Sequence, residues 1–272
     1  MSEISIPLFT GLALIGLSSG FLGGMLGIGG GVVIVPGLIL LFESTGAYPA
    51  DQVTLVAVAT SLACIVFTSL SAAYTQYRAS MVRWDLFRKL VVVFVLGSFC
   101  AGLLAPQLNA ALLRGLIGAF LCFVAVVMLT NWKPSPHRTF PGPVGGSVIG
   151  YFGGLMSGIA GIAGGNVIVP TLIYFNTPAH NATATSSALG VLIAAAGALS
   201  YGFFQDVSAS VTEFGYVDPV SFGIITIAAV ITAPLGVKVA HRVPAPRLKQ
   251  LFGALLIVVA GRMLYTATML GS

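Results

Sequence analysis

The sequence predicts an all-α integral membrane protein made of two inverted-topology repeats, and three observations support this. The chain of 272 residues is 57% hydrophobic and 7% charged, with a mean hydropathy of +1.02, whereas soluble domains carry about 25% charged residues. A glycine-rich block occurs twice, and basic residues gather in a few loops between apolar runs. Each repeat is expected to hold a Gly-rich re-entrant helical hairpin followed by three transmembrane helices.

The duplicated block is the clearest sign of the repeats. Residues 20–42 read GFLGGMLGIGGGVVIVPGLILLF and residues 154–176 read GLMSGIAGIAGGNVIVPTLIYFN. Their prolines, Pro36 and Pro170, are 134 positions apart (170 − 36). LLRGLIGA at 112–119 also aligns with RLKQLFGA at 247–254. A duplicated, glycine-interrupted apolar segment is typical of membrane transporters built from two related halves.

The first element of each repeat is the predicted hairpin, over about 7–42 and 144–176. Glycines interrupt both segments near their middle, and the arm after the first break, Val32 to Phe42, would reach only about 16 Å as a helix. This is about half of a 30 Å hydrocarbon core, so we expect half-depth arms. Pro36 and Pro170 are expected near the first turn of the second arm, where a missing N–H costs little.

The remaining elements are ordinary spans of about 20 or more apolar residues, enough to cross a bilayer. They are expected at about 51–77, 86–105 and 110–131 in the first repeat (1–131), and at about 181–204, 217–239 and 250–270 in the second (144–272). A Pro-rich linker at 132–143 joins the repeats, and nothing indicates a soluble domain.

Charges in the loops predict orientation. Basic residues cluster in loops 78–89 and 238–249 and in the linker, which should face the cytoplasm; they are Arg78, Arg83, Arg88, Lys89, Lys133, Arg138, Lys238, Arg242, Arg247 and Lys249. Loops 43–51 and 206–218 have no Lys or Arg and suit the outside. Equivalent loops therefore lie on opposite sides, which inverts the second repeat and puts both termini outside.

Several classes of function are disfavoured. The net charge of +5 comes from short clusters between spans rather than from one basic face, so no nucleic-acid partner is expected. No basic residue precedes the first apolar run, so no cleavable signal peptide is expected. Cys64, Cys100 and Cys122 match no metal or redox spacing and are expected to be buried small hydrophobes. No cofactor or metal is expected.

The two glycine breaks are the candidate binding site. Backbone groups freed there need protein, water or a ligand, because lipid cannot satisfy them, and a helix N-terminus favours an anion. Two such termini would converge on one pocket near the midplane, although a purely structural turn would also be duplicated. The residues that would bind the anion are Gly29, Gly30, Gly31, Gly164, Gly165 and Asn166.

A second repeated element carries hydroxyl groups. Thr60 and Ser61 follow Pro36, and Thr185 and Ser186 follow Pro170, with 24 (60 − 36) and 15 (185 − 170) positions between proline and threonine. These hydroxyls either complete the anion pocket or bond to their own preceding turn. Because the spacings differ by nine, the two pairs need not lie at the same depth.

Few ionisable residues lie within the spans. Arg262 is placed in the last span, as a functional residue or as one that snorkels to the outer interface. His180 lies at the mouth of the second half, as a proton-sensitive gate or as an interfacial residue. Small residues four apart are expected to allow close helix packing; they are Gly16, Gly20, Gly24, Gly150, Gly154 and Gly158.

The repeated G-x-G-G-G…P-x-L block, the Thr-Ser pair and the later Gly-Tyr-Val-Asp at 215–218 resemble the TauE/SafE family over nearly the whole chain. The resemblance implies a carrier in a bacterial or archaeal cytoplasmic membrane that exports sulfite or a small organosulfonate such as sulfoacetate. Ala163 and Asn166 depart from a strict glycine run, which puts the symmetry of the pocket in question.

Other functions stay open beside this one. A passive anion channel would use the same helix termini, and a carrier for a non-sulfur anion would share the site. An intramembrane protease using Ser157 with His180 or His241 is disfavoured because the surrounding residues do not match a rhomboid nucleophile. A primary pump would need a nucleotide-binding loop, which is missing. The sequence leaves the coupling ion, the transport direction and homo-oligomerisation undecided.

Overall fold

The structure, a computed structural model, describes residues 6–130, 143–204 and 212–271. The expected linker at 132–143, with Lys133 and Arg138, and the first part of the loop at 206–218 lie almost wholly outside these ranges. Ten α-helices are present in the described residues: α1 Ile6–Leu26, α2 Gly31–Thr45, α3 Val53–Arg78, α4 Trp84–Leu104, α5 Ala110–Leu129, α6 Pro143–Ile159, α7 Gly165–Tyr174, α8 Ala179–Phe203, α9 Pro219–Ala240 and α10 Ala245–Gly271.

The chain is an all-α membrane protein, as the sequence predicted. Within the described ranges, extended pairing is limited to one isolated bridge between Thr212 and Gly215. Helices α1, α3, α4, α8 and α9 are long and apolar enough to cross a membrane. The residues expected to form six spans lie in α3 to α5 and α8 to α10, with ends that differ by at most five residues, and four of these helices are among the five that could cross a membrane. Long apolar runs form helices in a membrane because a helix satisfies its own backbone hydrogen bonds, which lipid cannot do.

The arms at the glycine breaks differ in length. Helix α1 has 21 residues, about 31 Å at 1.5 Å per residue, so its length suffices for a full crossing. Helices α2 and α7 are shorter, with 15 and 10 residues. Gly16 and Gly20 did not shorten α1 because they pack tightly on α9, which compensates for their low helix propensity.

The two prolines lie deeper in their helices than expected. Pro36 is the sixth residue of α2 and Pro170 is the sixth residue of α7, past the first-turn positions where a missing N–H has no helical partner to lose. Each proline therefore removes an i to i−4 bond, which leaves the carbonyl groups of Val32 and Asn166 without their usual donor. The prediction that both prolines lie near the first turn of their helices was therefore wrong by about half a turn.

The glycine stripes pack helices together at backbone distance. On α1, a Cβ added to Gly20 or Gly24 would collide with the backbone of α9 at Ala229 and Ala233. On α6, a Cβ at Gly154 would meet the backbone of Phe94 in α4 in the same way. These contacts agree with the close packing expected from small residues four apart.

Helix contacts are paired across the two halves of the chain. The contact of α1 with α9 has its counterpart in that of α6 with α4, and α2 with α3 corresponds to α7 with α8. Helix α3 packs on its own counterpart α8, and α5 packs on α10. Exchanging the halves thus leaves the main contacts unchanged.

Helices α3 and α8 run antiparallel at the centre of the bundle. At one end, the Asn181 Nδ2 at the start of α8 donates to the carbonyl of Met81, which follows α3, at 2.8 Å. Toward the other end, a Cβ on Gly197, late in α8, would lie 2.8 Å from Leu62 Cδ1, early in α3. The basic loops meet at the first of these ends, where Gln76 Oε1 lies 3.1 Å from His241 Nε2.

Candidate functional site

The two glycine breaks lie directly against each other in the core. Residues 27–30 separate α1 from α2, and residues 160–164 separate α6 from α7. Gly31 faces the carbonyl of Gly161 so closely that a Cβ would collide with it, and Gly165 faces Ile28 and the carbonyl of Gly27 in the same manner. Helices α2 and α7 therefore begin side by side.

Backbone conformation requires glycine at the equivalent positions of both breaks. Gly30 and Gly164 cap their helices with φ of 89° and 78°, and Gly27 and Gly161 have φ of 72° and 67°. These left-handed conformations are strained for residues with a Cβ. Gly29 also has a positive φ, 70°, whereas Ala163 occupies the matching position of the second break, so the two backbones follow different paths there.

Ser61 and Ser186 tie each break to the other half of the chain. Ser61 Oγ donates to the carbonyl of Gly161 at 2.8 Å, and Ser186 Oγ donates to the carbonyl of Gly27 at 2.9 Å. Both serines are fully buried. Their hydroxyl protons are thus engaged by the backbone of the breaks, which gives the pair a positioning role in this conformation.

Thr60 and Thr185 make a second equivalent pair of contacts. Thr60 Oγ1 accepts from the N–H of Asp218 at 2.9 Å, and Thr185 Oγ1 accepts from the N–H of Arg83 at 3.0 Å. Asp218 and Arg83 are the N-cap residues of α9 and α4. The nine-residue difference in spacing therefore does not separate the pairs in depth; the longer α2 and the longer loop after it contain most of the difference.

Asn166, the second residue of α7, is the exceptional side chain of the site. It is 1% exposed, and neither its Nδ2 nor its Oδ1 has a hydrogen-bond partner. A buried amide without partners costs free energy, so the Asn166 side chain is suited to hydrogen-bond a polar ligand. The first-turn N–H groups of Gly165 and Asn166 lie beside it and have no acceptor within the helix.

Ser69 on α3 carries a second unpartnered group. Its Oγ is buried without a hydrogen bond and lies 2.7 Å from the position that a Cβ on Gly29 would take. Ser69 was not predictable from the repeats, because it lies two turns past the Thr60-Ser61 pair and the matching position of α8 is Ala194. A buried polar side chain without a hydrogen-bond partner therefore lies beside each break, Ser69 at the first and Asn166 at the second.

The space beside the two short helices differs. A cavity of about 530 Å³ opens between α5, α6 and α7, and Asn166 lines it among mostly apolar residues such as Phe120, Phe152 and Tyr174. Beside α2, Val32 and Pro36 line a crevice between α2, α5 and α10 that is too narrow for a water molecule. Asn166 therefore borders an open cavity, whereas Val32 borders a closed crevice.

The two residues expected to act as gates lie apart from the breaks. Arg262 is partly exposed on α10. His180, at the start of α8, faces His241 with ring centroids 6.0 Å apart. Partial burial of the His241 ring, together with His180, lowers the pKa of His241 from its ordinary 6.5. Gating by either residue stays a prediction.

Two further features, the exposure of the cysteines and the burial of Arg114, differ from what the sequence predicted. Cys64 is buried, but Cys100 is only partly buried and Cys122 is exposed on α5, so burial of all three cysteines was wrong. Arg114 is 1% exposed, which makes it the buried arginine of the described ranges. The sequence could have indicated Arg114, because this arginine lies inside the repeated block 112–119, four residues after the start of α5.

Comparisons with known proteins agree with these features. The family profile for the sulfite exporter TauE/SafE matches residues 12–263. A probable membrane transporter protein of Haemophilus influenzae is 31% identical over 251 residues, covering 91% of this chain and 94% of that protein. One from Methanocaldococcus jannaschii is 28% identical over 91% of this chain and 92% of its own. No solved structure matches the chain.

The family match covers most of the chain, and the named relatives are transporters rather than enzymes. Multiple apolar helices, glycine-mediated helix packing and a buried break in each half are consistent with that description. The chain is therefore a multi-pass membrane transporter and belongs to the TauE/SafE family.

Proposed function

We propose that this transporter exports a small sulfur-containing anion, sulfite or an organosulfonate such as sulfoacetate, across the cytoplasmic membrane. The observation that carries the proposal is the Asn166 amide, which is buried without partners at the N-terminus of α7. Sulfite and sulfonate oxygens accept hydrogen bonds, and a helix N-terminus favours negative charge. The amide Nδ2 and the first N–H groups of α7 would donate to the anion.

The rest of the proposed site follows from the contacts around the breaks. The first-turn N–H groups of α2, at Gly31 and Val32, add donors from the other half, and Ser69 Oγ lies beside Gly29. Gly30 and Gly164 set the left-handed caps from which the helices begin. Ser61 and Ser186 hold the break carbonyls back from the anion, because each carbonyl accepts a serine proton.

The paired contacts and the antiparallel α3 and α8 also support an inverted arrangement of the halves. We propose that the basic loops after α3 and α9 face the cytoplasm, and that the loop between α2 and α3 faces outward. Alternating exposure of the breaks would then involve movement of one half against the other.

Flux through proteoliposomes tests the function. Uptake of labelled sulfite, sulfoacetate, sulfate, chloride and lactate is measured for the wild type and for Asn166→Val, with and without a pH gradient. The valine copies Val32 of the first half, and sulfite or sulfoacetate flux should fall at least tenfold, since one charge-assisted hydrogen bond is worth about 1.5–3 kcal/mol. Thr226→Val is the matched control, because Thr226 Oγ1 is also buried without a partner but lies on α9.

The outcomes separate the alternatives. Saturable flux of a sulfur anion that is lost in Asn166→Val and kept in Thr226→Val supports a carrier with its site at the second break. Non-saturating chloride flux would instead establish a channel, and saturable lactate flux without sulfur-anion flux would establish a different substrate. Sulfonate flux unaffected by Asn166→Val would remove the site from the second break.

A further inference from the structure

The buried Arg114 forms an ion pair with the exposed Glu43, away from the glycine breaks. Its side chain is 2% exposed, and its Nη1 lies 2.6 Å from Glu43 Oε1. Its Nε donates to Thr54 Oγ1 at 2.7 Å. The cluster joins three elements: the end of α2, the start of α3 and the second turn of α5.

The guanidinium group is only partly satisfied. Arginine has five N–H donors in a planar fork, and a carboxylate commonly binds two of its nitrogens at once. Here Glu43 contacts Nη1, Thr54 takes Nε, and Nη2 is buried without any hydrogen-bond partner. A buried cationic donor left open is costly, so one edge of the fork is available to a second acceptor.

Glu43 is the partner that can leave. Its side chain is 35% exposed, against 2% for Arg114, so water can solvate the carboxylate while the guanidinium stays in the core. Glu43 also lies in the last turn of α2, whose carbonyl end disfavours negative charge. The counter-charge is therefore detachable, whereas the arginine is fixed.

Arg114 lies on the same face of α5 as residues that reach the first break. Ile117 and Leu121 follow Arg114 at helical spacing, and both line the crevice with Gly31 and Val32 at the start of α2. Glu43 lies at the opposite end of α2, before the loop at 46–52. Arg114 thus occupies a position between the break and that loop.

We propose that Arg114 is a second binding site for an oxyanion, between the glycine breaks and the loop at 46–52, and that Glu43 competes with the anion for it. A sulfonate, sulfite or carboxylate offers two oxygens to the fork, which a monatomic anion cannot do. When Glu43 turns to water, the anion takes its place; when Glu43 returns, the anion is released. The link to transport rests on the proposed function, but binding of oxyanions at Arg114 does not.

Anion-dependent thermal unfolding of the purified full chain tests the proposal. The wild type and Glu43→Gln are titrated with methanesulfonate, sulfite, acetate and chloride at constant pH and ionic strength. Removing the competitor should tighten oxyanion binding about tenfold or more, because an uncompensated buried charge costs several kcal/mol. Arg114→Lys keeps the charge but loses the fork, and should lose the preference for oxyanions over chloride.

Two further variants make the result decisive. Asp85→Asn is the matched control, since it removes the acid from the exposed Arg83–Asp85 pair and should change no affinity. The double variant Glu43→Gln with Arg114→Met removes both charges and should lose the oxyanion response. Equal oxyanion affinity in the wild type and Glu43→Gln, or a response that persists in the double variant, would overturn the proposal. Tight acetate binding by Glu43→Gln without sulfur-anion flux in the wild type would overturn the proposed function alone.

Discussion

At the scale of single residues, Ser61 and Ser186 do more for the structure than their small size suggests. Each donates to a carbonyl of a glycine break in the opposite half, at 2.8 Å and 2.9 Å. Those carbonyls are buried and lie where no helix can provide their donor. The two serines therefore fix the relative position of the halves at the point where both chains turn.

Replacing Ser186 by alanine should lower the free energy of unfolding by about 1–3 kcal/mol, because the Gly27 carbonyl would be left buried without a donor. Ser61→Ala should have a similar effect, since the contact is equivalent. Ser18→Ala is the control: its Oγ bonds only to the preceding turn of α1 and is exposed. Denaturation in detergent measures all three, and a cost in Ser18→Ala equal to that in Ser186→Ala would contradict the assignment.

His241, which follows α9 at the end where the basic loops meet, gives an expected pH dependence. Its pKa is lowered from 6.5 by partial burial and then by His180, so the folded state binds fewer protons than the unfolded state just below pH 6.5. Stability should therefore decrease as the pH falls from about 6.5 to the pKa of the folded state. His180→Gln should raise the pKa of His241, which NMR titration of the ring would measure; an unchanged pKa would assign the shift to burial alone.

At the scale of elements, the close packing of α6 on α4 depends on Gly154. A Cβ there would collide with the backbone of Phe94, which cannot move away as a side chain could. Gly154→Ala should therefore destabilise the protein by at least about 1–3 kcal/mol. Gly261→Ala on α10 has open space around the new Cβ and should be neutral or stabilising by up to about 1 kcal/mol. Thermal unfolding of the two variants distinguishes a packing glycine from a tolerant one.

Helix positions were predictable to a few residues because apolar run length and lipid burial leave little choice. The glycine breaks were predictable too, since their duplication marked them. The pairing of Arg114 with Glu43 was not, because it joins α5 to the end of α2 across 71 positions (114 − 43). The sequence paired Ser61 with Ser186 but did not predict that each donates to the glycine break of the opposite half, because these contacts join residues that are 100 and 159 positions apart.

At the scale of the whole molecule, the two halves share their main helix contacts but differ at the start of their short helices. The short helix α7 begins with a buried unpartnered asparagine beside a cavity of about 530 Å³, and α2 begins with a valine beside a closed crevice. Symmetry therefore describes the scaffold, and the departures from it indicate where a ligand would bind. In the first half, Arg114 and Glu43 add a charged pair whose glutamate has no counterpart on the shorter α7.

Inverted halves would place the loops that follow α2 and α7 on opposite sides of the membrane. The loop after α2 and the loop after α7 are equivalent in the repeats, yet the first lies at the start of α3 and the second lies beside Met81, past the end of α3. In a variant lacking the three native cysteines, Ala47→Cys should react with an impermeant thiol reagent added outside intact cells. Thr177→Cys should react only after the inner face is exposed, because its loop shares an end with the basic residues that orient the chain. Labelling of both positions from the same side would rule out inverted repeats, since equivalent loops would then share one face of the membrane.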